Sequence, residues 1–257
     1  MQSDSPPLLV FTIPLTMLGT QTAFRATKLT VKRFQNLMAV AILSGALAGF
    51  ALFVFQQFSV VPLIRTAEAY ESNTAHEDEG WQPANGWQRT SLTAIATVLS
   101  GIGFASMLFG VVALTGTALN PQRGALFGLA GFVCFNLAPA IGLPPRPPGV
   151  PVADLYARQI WWGGTVIATA VGLWLIFGHR RALGLRIGGG IFLLTPHLIG
   201  APTATGQYIV PTRLLSRFTA VSLVTMGLFW LLVGTIGGFL YKRIALTEDE
   251  GLASHEI

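Results

Sequence analysis

The sequence predicts an all-α protein, a polytopic transmembrane helical bundle of about six helices, with five and seven as bounds. Three observations predict this. The first is composition: 52% of the 257 residues are hydrophobic and 11% charged, with a mean hydropathy of +0.59. A soluble domain carries about a quarter charged residues, so this chain cannot present a polar shell to water. The second is segmentation, because apolar runs near the ~20 residues that carry a helix across the hydrocarbon recur along the chain. The third is punctuation: prolines stand at the ends of most of those runs, as Pro62, Pro121, Pro144 and Pro202 do, and proline does not continue a helix.

Residues 1–33 precede the spans. The stretch 8–24 is moderately apolar, weakened by Pro14 and several threonines, and sits at the lower length limit for a crossing, about 17 residues. No basic residue precedes it and no clear small-residue cleavage site follows, which argues against a signal peptide. The cluster Lys28, Lys32, Arg33 resembles a natural N-terminus, so 1–33 reads as an N-terminal extension, with a misassigned start and an additional crossing as the alternatives. The candidate spans are then 36–61, stopped by Pro62; 92–119, stopped by Pro121; 124–143, stopped by Pro144; 160–177; 187–201, stopped by Pro202; and 218–241. The fifth is the shortest and holds Pro196, so it reads as a broken or re-entrant helix, tolerated only against protein or water. The domain organisation is therefore an N-terminal extension (1–33), one transmembrane domain (34–243) and a tail (244–257). No polar stretch is long enough for a second core.

Between the third and fourth spans lies the sharpest local pattern. Pro139, Pro144, Pro145, Pro147, Pro148 and Pro151 impose a stiff extended turn. Trp161 and Trp162 follow where the next helix re-enters the membrane, the depth of an aromatic belt.

Charge sets the orientation. With the N-terminal side inside, the inner segments carry Arg25, Lys28, Lys32, Arg33, Arg123, Arg180, Arg181, Arg186, Lys242 and Arg243. The outer segments carry Arg65, Arg89, Arg146, Arg158, Arg213 and Arg217, which completes the sixteen Lys and Arg. Ten against six predicts a multi-pass membrane protein with both termini in the cytoplasm. The basic residues cluster between apolar runs as topology signals, so the net charge of +5 does not point to nucleic acid. The external loop 62–91 is the longest connection and holds Glu68, Glu71, Glu77, Asp78 and Glu79. Many of the 29 glycines lie inside spans, with Gly45/Gly49 and Gly124/Gly128 as small-xxx-small pairs, Gly188 to Gly190 consecutive, and Gly234, Gly237 and Gly238 clustered. The spacing suits close helix packing inside one bundle, with a homo-oligomer face as the alternative.

Several chemistries have no carrier here. There is no phosphate-cradling Gly-rich loop ending in Lys-Ser/Thr, no HExxH, no GxSxG and no paired intramembrane carboxylate, which argues against an ATPase or a membrane hydrolase, and against an enzyme in general. No permanently bound cofactor is expected: of the four histidines, no two occupy span interiors to hold a haem. The single Cys134 allows no internal disulfide and reads as a small buried hydrophobe.

The candidate metal ligands are few. His197 is the one strongly ionisable side chain deep in a candidate span. Such groups are costly in the bilayer and tend to face a pathway, and Pro196 beside it frees backbone carbonyls of the kind broken helices use for ions. The competing reading is a neutral histidine near the outer interface, hydrogen-bonded to a neighbouring helix. Gln56 and Gln57 end the first span and need polar partners. Glu68 and Glu71 share a face at i,i+3 if the helix continues past Pro62, either to attract a divalent cation or as a solvated face. The run His76-Glu77-Asp78-Glu79 and the tail Glu248-Asp249-Glu250 with His255 carry suitable ligand types but read as solvated segments.

Four blocks in order resemble the CbtA family, described as cobalt transporter subunits. They are Gln56-Gln57-Phe58-Ser59-Val60-Val61-Pro62-Leu63-Ile64 with Ala67-Glu68-Ala69-Tyr70-Glu71; Gly86-Trp87-Gln88-Arg89-Thr90; the proline turn with Ala153-Asp154-Leu155, Arg158-Gln159, Trp161-Trp162 and Ala170-Val171-Gly172-Leu173; and Pro196-His197-Leu198-Ile199-Gly200-Ala201-Pro202. The likeness spans about residues 34–241. It implies five or six transmembrane helices, Co²⁺ as the transported ion, a link to cobalamin metabolism and a small single-span, histidine-rich CbtB partner. A histidine-rich partner suits a chain so poor in the imidazole and carboxylate ligands that Co²⁺ favours. Asp154 in the third block joins His197, Glu68, Glu71, Gln56 and Gln57 as a metal candidate. Arg146 is a departure, because similar proteins carry Glu within that proline turn. A non-transporting scaffold or assembly subunit, or nickel in place of cobalt, are the other readings. Convergence of Gln56, Gln57, Asn136, Gln159 and His197 on one cavity would favour transport, and their dispersal the scaffold.

Overall fold

The computed structural model describes residues 15–71, 83–178 and 182–253. They form seven helices and, among the described residues, no strand: α1 (Leu15–Ser59), α2 (Val61–Glu71), α3 (Trp87–Thr115), α4 (Pro121–Gly142), α5 (Leu155–Phe177), α6 (Leu183–Ile199) and α7 (Thr212–Ala253). Five are long and apolar enough to cross a membrane: Phe34–Ser59 within α1, α3, α4, α5 and Thr212–Ile244 within α7. The chain is thus an all-helical, multi-pass membrane protein. At 17 residues, α6 measures only about 25 Å, short of the ~30 Å hydrocarbon.

Helix boundaries follow local capping chemistry, and here the sequence-based stops need correction. Pro121 does not end the second span. Gly116 does, with φ 62° in the left-handed region, and Pro121 occupies the first turn of α4, where a missing N–H costs nothing. The Asn120 side chain caps α4 by accepting from the Arg123 amide at 2.8 Å. Pro62 likewise sits in the first turn of α2, so the chain pauses at Val60 and resumes as helix. Pro196 does not break the fifth span either, for α6 runs through it to Ile199. It lies in the last turn, at the loss of one ladder bond, since its nitrogen has no proton for the Phe192 carbonyl. Helices α3 and α5 start earlier than hydropathy predicts, at Trp87 and Leu155, because polar residues at the interface extend a helix without needing lipid contact.

One irregularity is internal. Helix α4 contains a π-turn at Val133–Leu137. Pro139, two residues further on, has no N–H to offer the Phe135 carbonyl four residues back. Trp162 of α5 supplies the missing donor, its indole Nε1–H reaching the Phe135 carbonyl at 3.3 Å.

Packing pairs α1 with α3, α4 with α7, and α5 with α6, and α1 also packs on α7. Small residues line each seam. A Cβ placed on Gly45 would stand 2.6 Å from the Gly101 carbonyl oxygen, and Gly124 of α4 meets the backbone of Gly234, so these glycines serve packing within the bundle, as one of the two sequence readings expected. Val40, Ala48, Leu52, Phe109, Phe229, Trp230 and Val233 form the main core, while Phe50, Leu99, Leu126, Ile167 and Phe239 point outward, as a lipid-facing surface requires.

The helices alternate in direction. Trp161 near the start of α5 contacts His197 near the end of α6, so α6 returns the chain despite its shortness. At one end of the bundle α2, the segment 143–154 and the segment 200–211 gather into a cap. Ala67, Val150 and Val210 form one cluster there, and Val60, Leu63 and Phe218 another. The opposite end holds the α3–α4 turn, with Asn120 against Gly238.

Candidate functional site

The cap is where the sequence candidates meet their surroundings. The proline segment is fixed from three sides. The Thr219 hydroxyl donates to the Pro145 carbonyl at 2.8 Å, Arg146 Nη1 donates to the Pro151 carbonyl at 2.7 Å, and the Arg146 guanidinium lies 5.9 Å over the Tyr208 ring. Arg146 therefore serves as a strut across its own turn. Asp154 is the N-cap of α5, its Oδ1 accepting from the Ala157 amide at 3.0 Å, which satisfies one of the orphan donors of a helix start.

Glu68 on α2 forms an ion pair with Arg89 at the start of α3, and Arg89 also donates to Asn85 Oδ1 at 3.3 Å. The pair ties α2 to α3. Glu71 is in the last turn of α2, but its side chain, like residues 76–79 and the carboxylates at 248–250, lies outside the described side chains. Gln56 and Gln57 are half-buried at the end of α1, one turn before the pause at Val60, whose amide donates to the Gln56 carbonyl at 3.0 Å.

His197 is half-buried, its ring set edge-on to Trp161 with centroids 6.0 Å apart. Its Nδ1 is buried and has no hydrogen-bond partner. Trp161 Nε1 donates to the adjacent Pro196 carbonyl at 3.2 Å, so the two tryptophans, expected as belt residues, also tether α5 to α6 and to α4. An unsatisfied buried ring nitrogen carries a desolvation cost of about 1–3 kcal/mol, which a ligand or partner side chain at that position would offset. Among the described residues, His197 is the only histidine, and no group of three or more His, Cys, Asp or Glu stands close enough to enclose a metal ion.

A cavity of about 340 Å³ opens in the cap between the proline turn and the first turns of α5. Arg146, Arg158, Gln159 and Trp162 line it with Leu143 and Leu155. Of the five polar residues named for convergence, Gln159 reaches this cavity. Asn136 instead accepts from Trp230 Nε1 at 2.7 Å, within the aromatic cluster of Phe104, Phe135, Phe229 and Trp230, and His197 packs on Trp161. Asn136, Gln159 and His197 thus face different neighbours. Sequence reasoning missed the Asn136–Trp230 bond and the cavity. A proline inside an apolar run is a usable signal for the Trp162 tether, because it marks an orphan carbonyl four residues back that a nearby donor must fill.

The family model of CbtA, described as a probable cobalt transporter subunit, matches residues 34–242. No curated protein and no solved structure matches the chain.

Proposed function

The chain belongs to the CbtA family of probable cobalt transporter subunits, and on that premise we propose that it is the membrane-embedded subunit of a Co²⁺ uptake system in the bacterial inner membrane, feeding cobalamin metabolism. The observation that carries this reading is the family match over residues 34–242, which takes in the five apolar spans and α6. Within the chain, His197 is the residue best suited to touch the ion, since its buried Nδ1 is unpartnered and imidazole suits Co²⁺. Glu68, Glu71, Gln56 and Gln57 stand toward the cap as a capture region, with Asp154 at the start of α5. A single imidazole cannot complete a coordination shell. The remaining ligands come from a small histidine-rich CbtB-like subunit, and the path runs where the two meet. The ten-to-six basic asymmetry puts the cap outside and both termini in the cytoplasm.

The separation of Asn136 on Trp230, Gln159 in the cap cavity and His197 on Trp161 favours the second reading, a scaffold or assembly subunit that does not itself conduct. Radioactive cobalt uptake by cells expressing this chain, with and without the small partner, decides between them. Uptake that requires both, and is lost on His197→Ala at normal protein level, supports transport. Uptake unchanged without this chain sinks it. Competition with unlabelled Ni²⁺ tests the choice of metal.

A further inference from the structure

Two cations line the cap cavity, and the residues lining it include no carboxylate. Arg146 spends one donor on the Pro151 carbonyl and has no acidic partner among the described residues. Arg158 is less provided for: its Nε is buried without a hydrogen-bond partner. A guanidinium presents a planar fork that matches the paired oxygens of a phosphate, and one of its N–H groups left buried without an acceptor is costly. Gln159 adds an amide to the same wall, while Leu143, Leu155, Trp162 and Pro202 make the remainder apolar. Beside these lining residues, Tyr156 and Ile160 in the first turns of α5 are 75% and 74% exposed, at the start of an apolar candidate span. The arrangement is a cationic end set against an apolar approach.

We infer that this cavity binds the phosphate group of an anionic ligand, with Arg158 and Arg146 as the paired donors, and that the apolar approach along α5 admits a phospholipid headgroup. The inference stands apart from the transport reading, and its test contains no metal. Full-length protein in an uncharged detergent is titrated with short-chain phosphatidylglycerol, short-chain phosphatidylcholine and inorganic phosphate, with binding followed by native mass spectrometry. The variants are Arg158→Gln, the double variant Arg146→Gln/Arg158→Gln, and Arg213→Gln, an exposed cap cation outside the cavity. Phosphatidylglycerol should bind the wild type and the Arg213→Gln protein alike. Its Kd should rise about tenfold in Arg158→Gln and further in the double variant, with phosphatidylcholine weaker throughout. Binding of inorganic phosphate with the same arginine dependence, and no preference for lipid, upholds the phosphate site and assigns its ligand to solution. If Arg158→Gln fails to fold, Arg158→Lys keeps the charge without the fork and should bind with intermediate affinity. Equal binding by wild type and double variant, or no binding of either phosphate compound by the wild type, overturns the proposal.

Discussion

His197 and its neighbour Trp161 concentrate the chemistry available to a single residue. If the imidazole ligates the ion, His197→Ala and His197→Gln should both abolish cobalt uptake while membrane protein level stays normal, because glutamine bonds hydrogen but is a poor ligand. If it serves as glue, the Gln variant should be largely active, since a hydrogen bond in a membrane bundle contributes only about 0.6–1.7 kcal/mol. Glu68 separates in the same way. Its pairing with Arg89 is partly exposed, with side-chain exposures of 34% and 41%, so Glu68→Gln should cost at most about 1 kcal/mol of stability. Loss of uptake without loss of thermal stability in that variant would mark a role in metal capture. Asn136 is the opposite case, because its bond to the Trp230 indole lies inside the bundle. Asn136→Leu orphans that donor and should lower stability by about 1–2 kcal/mol, read as an earlier thermal unfolding in detergent. The residue types of the candidates were legible in the sequence. Their states of partnership were not all so: Asp154 caps its own helix three residues on, but Glu68 as half of an ion pair and the unpartnered Nδ1 of His197 depend on other elements.

At the scale of elements, glycine seams hold the helix pairs together where dispersion and backbone approach replace the hydrophobic effect. Gly45 faces the α3 backbone, whereas a Cβ on Gly103 would meet nothing within 4 Å. Gly45→Leu should therefore separate α1 from α3 and cost at least 1–3 kcal/mol, roughly the range of overpacking. Gly103→Ala should be neutral or gain up to about 1 kcal/mol in helix propensity. Equal effects of the two substitutions on thermal stability would show that α1 and α3 do not meet at this seam. The π-turn in α4 has a comparable logic. Pro139 withholds a donor, the helix loosens by one residue, and Trp162 answers from α5. Proline's effect on a helix was readable from sequence, but whether it stops, starts or merely disturbs one was not. Pro121 and Pro62 open helices, where their missing N–H leaves no ladder bond unmade, and Pro196 rides in a last turn at the loss of one.

For the whole molecule, the cap gathers three connections on one end of the bundle and leaves the α3–α4 turn and the end of α7 at the other. Reporter fusions at Ile257 and within the loop 62–91 should therefore lie on opposite sides of the membrane. Finding both on one side would show that α6 does not return the chain across. Because α6 is only 17 residues long, hydropathy alone leaves the number of crossings at five or six, and its antiparallel contact with α5 is what argues for six.

Composition determined that the chain lives in a membrane, and the apolar periods and four sequence blocks determined a helical bundle of the CbtA kind. These follow from short-range physics, since desolvation of a 20-residue apolar run and the backbone chemistry of proline and glycine are felt locally. Only the tertiary structure decided which helices pair, where the orphan carbonyl of Phe135 finds its donor, and that Arg146 and Arg158 share a cavity free of carboxylates. Those outcomes depend on how close the glycine seams bring separate helices and on how the proline turn folds over them. Contacts of that kind join residues on separate elements, twelve apart for Arg146 and Arg158 and 27 for Phe135 and Trp162, and no local pattern in the chain encodes them.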